Sequence, residues 1–231
     1  MNIEILGPRA SGKTTLGKML ATELNNEYIS LGTLARREVA NESKIGKQMK
    51  FHIDNKIPYP EGFLIDFIRQ NLQKALKNTN GFILDGYPRR VSETLEFINI
   101  MNDLGVNLDY LVELNIPLEE LIRRSELRLW CPKCDFQIAR TAIKTPHCPD
   151  CSTTLSRRSD DTPKEIERMY ELYRADAEEV KGMLTVMNMV KVFSVDDLRQ
   201  APFITQGVIH LLNQSNSTKD AERVGFEPTN P

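Results

Sequence analysis

The stretch IEILGPRASGKTT, residues 3–15, joins a short apolar run to a segment in which Leu16, Leu20 and Leu24 recur at helical spacing. Within it Gly7 to Thr14 matches G-x-x-x-x-G-K-[ST] at every position, and it stands between strand and helix as the mechanism of that motif requires. Gly12 lets the backbone approach phosphate oxygens with no side chain in the way. Successive amides and the helix N-terminus face the anion, and Lys13 adds a mobile positive charge. Thr14 or Thr15 can reach a magnesium ion. The stretch therefore predicts a site for a nucleoside triphosphate with Mg2+, built from Gly7, Gly12, Lys13, Thr14 and Thr15.

A chain of 231 residues has room for one α/β domain with a real core and a small insert, but not for two full domains. Its 30 basic and 32 acidic side chains nearly balance, so no general positive field draws it to nucleic acid or anionic membranes. No signal region precedes the first strand, and no apolar run approaches the ~20 residues of a membrane helix. The expected setting is the cytosol. In that reducing compartment the four cysteines, arranged as Cys131/Cys134 and Cys148/Cys151, point to metal before disulfides.

Further along, Glu27 to Ser30 reads as a second strand, and Leu64, Phe67, Ile68 and Leu72 mark a helix from about 61 to 76. Gly81 to Asp85 reads as a buried strand ending on a carboxylate, and Asp109 to Asn115 as another strand. Pro117 opens a helix towards Arg128. A helix resumes near Pro163, a strand spans about Val190 to Val195, and Val208, Ile209, Leu211 and Leu212 mark a closing helix. This alternation predicts the α/β class, a parallel β-sheet flanked by helices. Residues 214–231 are polar with two prolines and are expected to be disordered; there are no internal repeats.

Thirteen residues separate the two Cys-x-x-Cys pairs, close to zinc-ribbon spacing. Two knuckles supply four thiolates for a closed, structural site at Cys131, Cys134, Cys148 and Cys151, with Zn2+ as the expected ion. Metal binding of about 10–16 kcal/mol in small modules is enough to order a segment with so little apolar content. Redox-active pairs or disulfides are the alternative, and His147 is a competing ligand that four sulfurs make unnecessary. Trp130 either covers the ribbon or stacks on a base.

Asp85-Gly86-Tyr87-Pro88-Arg89 resembles the D-G-[FY]-P-R signature of adenylate kinases and related nucleoside monophosphate kinases. Ile29 to Arg36 resembles the family's I-S-T-G-D-x-x-R segment. Arg124 and Arg128 fall like its arginine pair, and Arg157 to Asp161 is similar to its R-x-D-D run. The resemblance covers nearly everything except the tail. It implies a P-loop NTPase-type core over 1–128 and 159–213, with an acceptor-binding helical segment at about 30–60, and a zinc-binding lid over 129–158. It implies a phosphotransferase of nucleotide biosynthesis moving the γ-phosphoryl group of ATP to a nucleoside monophosphate, foremost AMP, in a monomer without nucleic-acid partners. It further implies that Arg36 and Arg89 hold the acceptor phosphate with Gly86 beside them, and that Arg128 and Arg158 close over the transferring group. Arg124 would lie against the donor base and help bind its phosphates, and Asp85 would organise magnesium through its water shell. Arginine suits such work, because phosphoryl transfer is mostly positioning and charge compensation and planar forks grip phosphate oxygens by paired bonds.

The chain departs from the family at several places. Leu31 replaces a threonine near the acceptor base, and Glu93 stands where a base-reading glutamine is usual. A carboxylate accepts only: it can take an amino group of adenine or cytosine, or both the ring N–H and the amino group of guanine. Alternatively, Glu93 lies on an exposed helix face. Ala10 replaces a loop glycine and Thr14 a smaller residue. Met169 stands where the last catalytic arginine is expected, with Arg168 one residue off, a rotation of about 100° on a helix. These differences leave open GMP as acceptor and a regulatory nucleotide-binding protein without turnover. Lys133, Arg140 and Lys144 are too few to favour nucleic-acid binding by the ribbon.

Overall fold

The computed structural model describes residues 1–188, 191–195 and 206–210. Five parallel strands form one sheet: β1 (Ile3–Leu6), β2 (Glu27–Ser30), β3 (Phe82–Asp85), β4 (Tyr110–Leu114) and β7 (Lys191–Val195), in the order β2-β3-β1-β4-β7. The register pairs Ile5 with Asp85 on one side and with Val112 on the other. Because β1 is central and its neighbours are reached by crossovers in opposite directions, a crevice opens beyond its C-terminal end. Ligands of parallel α/β sheets bind at such a crevice. The phosphate loop lies there.

Both faces of the sheet are covered, which is why its strands read as nearly continuous apolar runs rather than alternating ones. Ile3, Ile5, Ile83, Tyr110 and Val112 face α1 (Lys13–Leu24), α6 (Leu118–Leu127) and the start of α7 (Pro163–Asn188). Leu6, Leu84 and Leu111 face α4 (Ile65–Asn78), α5 (Val91–Leu104) and the later turns of α7, where Val180 and Leu184 are buried. Each fully buried Leu or Ile contributes roughly 1.5–3 kcal/mol. Among the described strand carboxylates Asp85 and Glu113 are also buried, but Glu4 is 0% exposed and neither of its carboxyl oxygens has a hydrogen-bond partner.

Two helices, α2 (Leu31–Ala40) and α3 (Lys44–Asn55), fill most of the segment expected to receive the acceptor. The Ser30 and Ser43 hydroxyls cap them by accepting from the amides of Thr33 and Gly46. Gly46 lets the helices touch, since a Cβ there would stand 2.0 Å from the Glu38 carbonyl oxygen. The helix read from residue 61 begins at Ile65 instead. Residues 61–64 form a turn, with Gly62 at φ 75 and its amide donating to Glu96 Oε1 at 2.6 Å. The last strand begins at Lys191, and 206–210 is helical with Val208 buried. Val190, Leu211, Leu212 and the tail 214–231 lie outside the described residues.

The cysteine insert leaves α6 through β5 (Arg128–Trp130), which pairs antiparallel with β6 (Gln137–Ala139). It returns beside its own start, because Trp130 and Ser156 exchange backbone hydrogen bonds of 2.8 and 2.9 Å. Its small core consists of Cys131, Cys148 and Leu155, with Leu129, Phe136, Ile138 and Ile143 packed against it.

Candidate active site

The loop between β1 and α1 ends on Gly12, which caps the helix at φ 105, a left-handed conformation that favours glycine. The Lys13 ammonium folds back on this loop and donates to the carbonyls of Gly7 and Pro8, both at 2.7 Å. Burial lowers its pKa to about 8. The Asp85 charge opposes that shift, while Arg89, Arg128 and Arg9 reinforce it.

Of the two threonines, Thr14 is the one turned to the carboxylate: its hydroxyl donates to Asp85 Oδ2 at 3.3 Å, whereas Thr15 is exposed. Tyr28 also donates to Asp85 Oδ2, at 2.6 Å, and burial raises its pKa well above the ordinary phenol value, with the Asp85 charge adding to the effect. A hydroxyl and a carboxylate at the mouth of a phosphate loop are hard oxygen donors suited to Mg2+. The donor set fits that ion.

The arginines gather in two groups. Asp161, 1% exposed, holds Arg128 through a two-pronged contact with both of its oxygens and receives Arg9 Nη2 at 3.1 Å; Arg9 Nη1 reaches Asp160 at 2.6 Å. Arg124 bridges from α6 to the phosphate loop, donating through Nη1 to the Ser11 carbonyl at 2.8 Å and through Nε to Glu120 at 2.7 Å. Arg36 and Arg158 share Asp135, which also receives the Trp130 indole N–H at 2.6 Å. Arg158 lies 5.3 Å from the Trp130 ring centroid. Its pKa falls to about 10, first through burial and then through the charges of Arg36 and Arg128. Trp130 thus engages an arginine and a carboxylate, a third role beside the two read from sequence.

The acceptor side differs more from expectation. Arg89 is exposed and, among the described residues, has no ion-pair partner; its guanidinium lies beside Gly86. Leu31 is 6% exposed and packed in the main core with Ile29 and Ala35. Glu93 is 7% exposed, so the exposed-face alternative is corrected: its Oε1 accepts from Arg90 Nε and Nη2 at 3.0 and 2.7 Å, and its Oε2 from the Arg89 amide at 2.8 Å. Arg168 turns to Glu165, at 2.7 and 3.1 Å, and Lys56 from just beyond α3 reaches the same carboxylate at 3.2 Å. Arg9, Tyr28, Arg90 and Asp135 were not singled out in the sequence. Each works through a partner that only the fold supplies; Arg9, inside the motif itself, was the one local signal.

The four cysteine sulfurs lie within 4.8 Å of one another, with contacts of 3.4, 3.4 and 3.6 Å. A disulfide needs ~2.05 Å, so these are thiols. Four sulfurs on one tetrahedral zinc stand about 3.8 Å apart, from Zn–S bonds of about 2.3 Å. The cluster fits a metal ion of that kind. Each knuckle closes in the same way: the amides of Asp135 and Ser152 donate to the carbonyls of Cys131 and Cys148 at 3.0 and 2.9 Å, and both donors take a left-handed φ, 60 and 59. His147 is exposed and outside the cluster. No helix among the described residues is long and apolar enough to cross a membrane.

The sequence profile of the adenylate kinase family matches residues 5–188. An adenylate kinase of Pyrococcus furiosus is 32% identical over 183 residues, 78% of this chain and 82% of that protein. One of Methanothrix thermoacetophila is 32% identical over 193 residues, 82% and 89% of the two chains. One of Thermosipho africanus is 29% identical over 217 residues, 93% and 100% of the two chains.

Proposed function

The chain belongs to the adenylate kinase family and is a nucleoside monophosphate kinase, and on that premise we propose that it converts ATP and AMP into two ADP with the residues assembled above. The observation that sets AMP above GMP is the near-saturation of Glu93. An ionised carboxylate offers about four lone-pair positions. Arg90 takes both on Oε1 and the Arg89 amide takes one on Oε2, leaving a single acceptor. One acceptor suits the one amino group of adenine or of cytosine, and between these the adenylate kinase relatives favour adenine. Guanine, which presents two adjacent donors, would have to displace Arg90.

In this reading Gly12 and the amides after it receive the donor phosphates, and Lys13 exchanges the Gly7 and Pro8 carbonyls for phosphate oxygens. Thr14 and Asp85 would hold Mg2+, which supplies charge neutralisation across the transferred group when bound. Arg124 steadies the loop from above, while Arg128 and Arg158 compensate the charge that spreads over the moving phosphoryl. Arg89, exposed and without an ion-pair partner among the described residues, is placed to take the acceptor phosphate with Arg36. Such cations act by electrostatic preorganisation, worth most where water is excluded.

The insert is the lid that excludes it, ordered by Zn2+ on Cys131, Cys134, Cys148 and Cys151. Thiolates of this kind persist in a reducing cytosol, which we take as the setting, with a monomer as the working unit. ADP formation measured with ATP and each of AMP, GMP, CMP and UMP tests the proposal. Preference for AMP supports it; preference for GMP, or hydrolysis of ATP indifferent to acceptor, overturns it.

A further inference from the structure

Asp135 stands one residue beyond Cys134, yet its carboxylate leaves the insert and reaches α2. Oδ1 accepts from Arg36 Nε at 3.0 Å, Trp130 Nε1 at 2.6 Å and Arg158 Nη2 at 3.0 Å; Oδ2 accepts from Arg36 Nη2 at 2.6 Å and Thr33 Oγ1 at 2.5 Å. Five donors on one carboxylate exceed its about four lone-pair positions. A phosphate monoester brings three strongly accepting oxygens and up to two charges. It would match the donors in number and would balance Arg36 and Arg158, which a single carboxylate does not. The Nε–Nη2 edge of Arg36 is the fork that grips carboxylate and phosphate alike, so it serves one of them at a time.

We propose that Thr33, Arg36, Trp130 and Arg158 form one anion cradle for the phosphate of the nucleoside monophosphate, and that Asp135 is its built-in occupant, displaced when substrate arrives. The inference rests on the reading above in which Arg36 holds the acceptor phosphate, and adds Thr33, Trp130 and Arg158 to that site, Arg158 then lying between the acceptor phosphate and the transferred group. Asp135 keeps the lid closed on α2 while the cradle has no substrate, so Arg158 is neutralised until the acceptor replaces its partner. The acceptor's apparent affinity is then reduced by the fraction of molecules in which the cradle is free.

The test uses the full-length, metal-loaded protein and D135N, in which the side chain keeps its shape and one acceptor atom, tolerates a positive φ and loses its charge. KM for AMP is measured at saturating ATP. The indole N–H of Trp130, the chain's one tryptophan, is followed by NMR while AMP or inorganic phosphate is added. KM should fall about tenfold, as when a tenth or less of the wild-type molecules are competent. The wild-type indole signal should move with AMP and, in the same direction, with phosphate; in D135N it should start displaced. A KM that rises or stays the same in D135N makes Asp135 a tether and overturns the proposal. So does a wild-type indole signal that neither anion moves, a result that stands even if D135N fails to fold. Absence of phosphoryl transfer to AMP in the wild type refutes the acceptor assignment instead, and the phosphate titration still decides whether the cradle takes an anion.

Discussion

Replacing Glu4 by leucine should make the protein more stable, and increasingly so as pH rises. The Glu4 carboxyl lies in mid-strand between Leu84 and Leu111, fully buried, with both oxygens unpartnered. Burial pushes its pKa well above the ordinary 4.5; Asp85 adds to the shift, and Arg89 and Lys13 oppose it. Between the unfolded and folded values the native state carries one more proton than the unfolded chain, so stability falls as pH climbs, by up to about 1.4 kcal/mol per unit. From pH 5 to pH 7 that is up to about 2.7 kcal/mol. Leucine removes this slope and also the cost of orphaned polar atoms, about 1–3 kcal/mol. Glutamine removes the slope alone, because its amide is equally unpartnered. Urea unfolding of the metal-loaded wild type, E4Q and E4L at pH 5, 6 and 7 measures both terms. The carboxylates with depressed pKa values, among them Asp135 and Asp160, are common to all three and cancel in the differences. Parallel pH profiles for wild type and E4L, or an E4L protein less stable at pH 7, would refute the reasoning.

Lys13 loses its charge as pH rises through about 8, so ATP affinity measured by calorimetry should weaken above that value, approaching about tenfold per unit at the limit; K13R, charged throughout, should show no such inflection. C148S should abolish stoichiometric zinc and expose the amides of residues 131–156 to hydrogen exchange, while those of β1, β3 and β4 stay protected, because the sheet has its own core. G46A drives a methyl group against the Glu38 carbonyl, and overpacking of this kind costs about 1–3 kcal/mol. A lower urea midpoint with a raised KM for AMP is expected, since α2 carries Arg36.

What the sequence disclosed was local. The phosphate loop, the carboxylate closing β3, the arginines of the signature segments and the two knuckles each announce themselves within a few residues, because their chemistry dictates both residue type and spacing. The strands of the sheet were readable for a related reason: burial on both faces leaves continuous apolar runs. Asp135 was invisible, since its meaning depends on Arg36, 99 positions earlier, and nothing in Cys-Pro-Lys-Cys-Asp distinguishes an outward knuckle residue from one inserted among cations. Arg90 likewise acquires its role only when the first turn of α5 sets it on Glu93. The helix beginning at Ile65 was placed early because apolar periodicity ignores Gly62, whose backbone bonds to Glu96 and holds the turn open. Arg168 shows the same limit: counting residues put it one step from a catalytic position, and Glu165 decides where it points.

The mutual backbone bonds between Trp130 and Ser156 give the metal-bearing excursion a property of its own. Its departure and arrival points are a single rung apart, so whatever lies between them adds bulk above the crevice without stretching or shearing the scaffold below. Chain inserted where the two ends already meet is accommodated most readily. The segment is therefore an exchangeable cassette: a shorter hairpin or an enlarged one could be spliced onto that rung, altering how the crevice is roofed while the sheet and its helices keep their places.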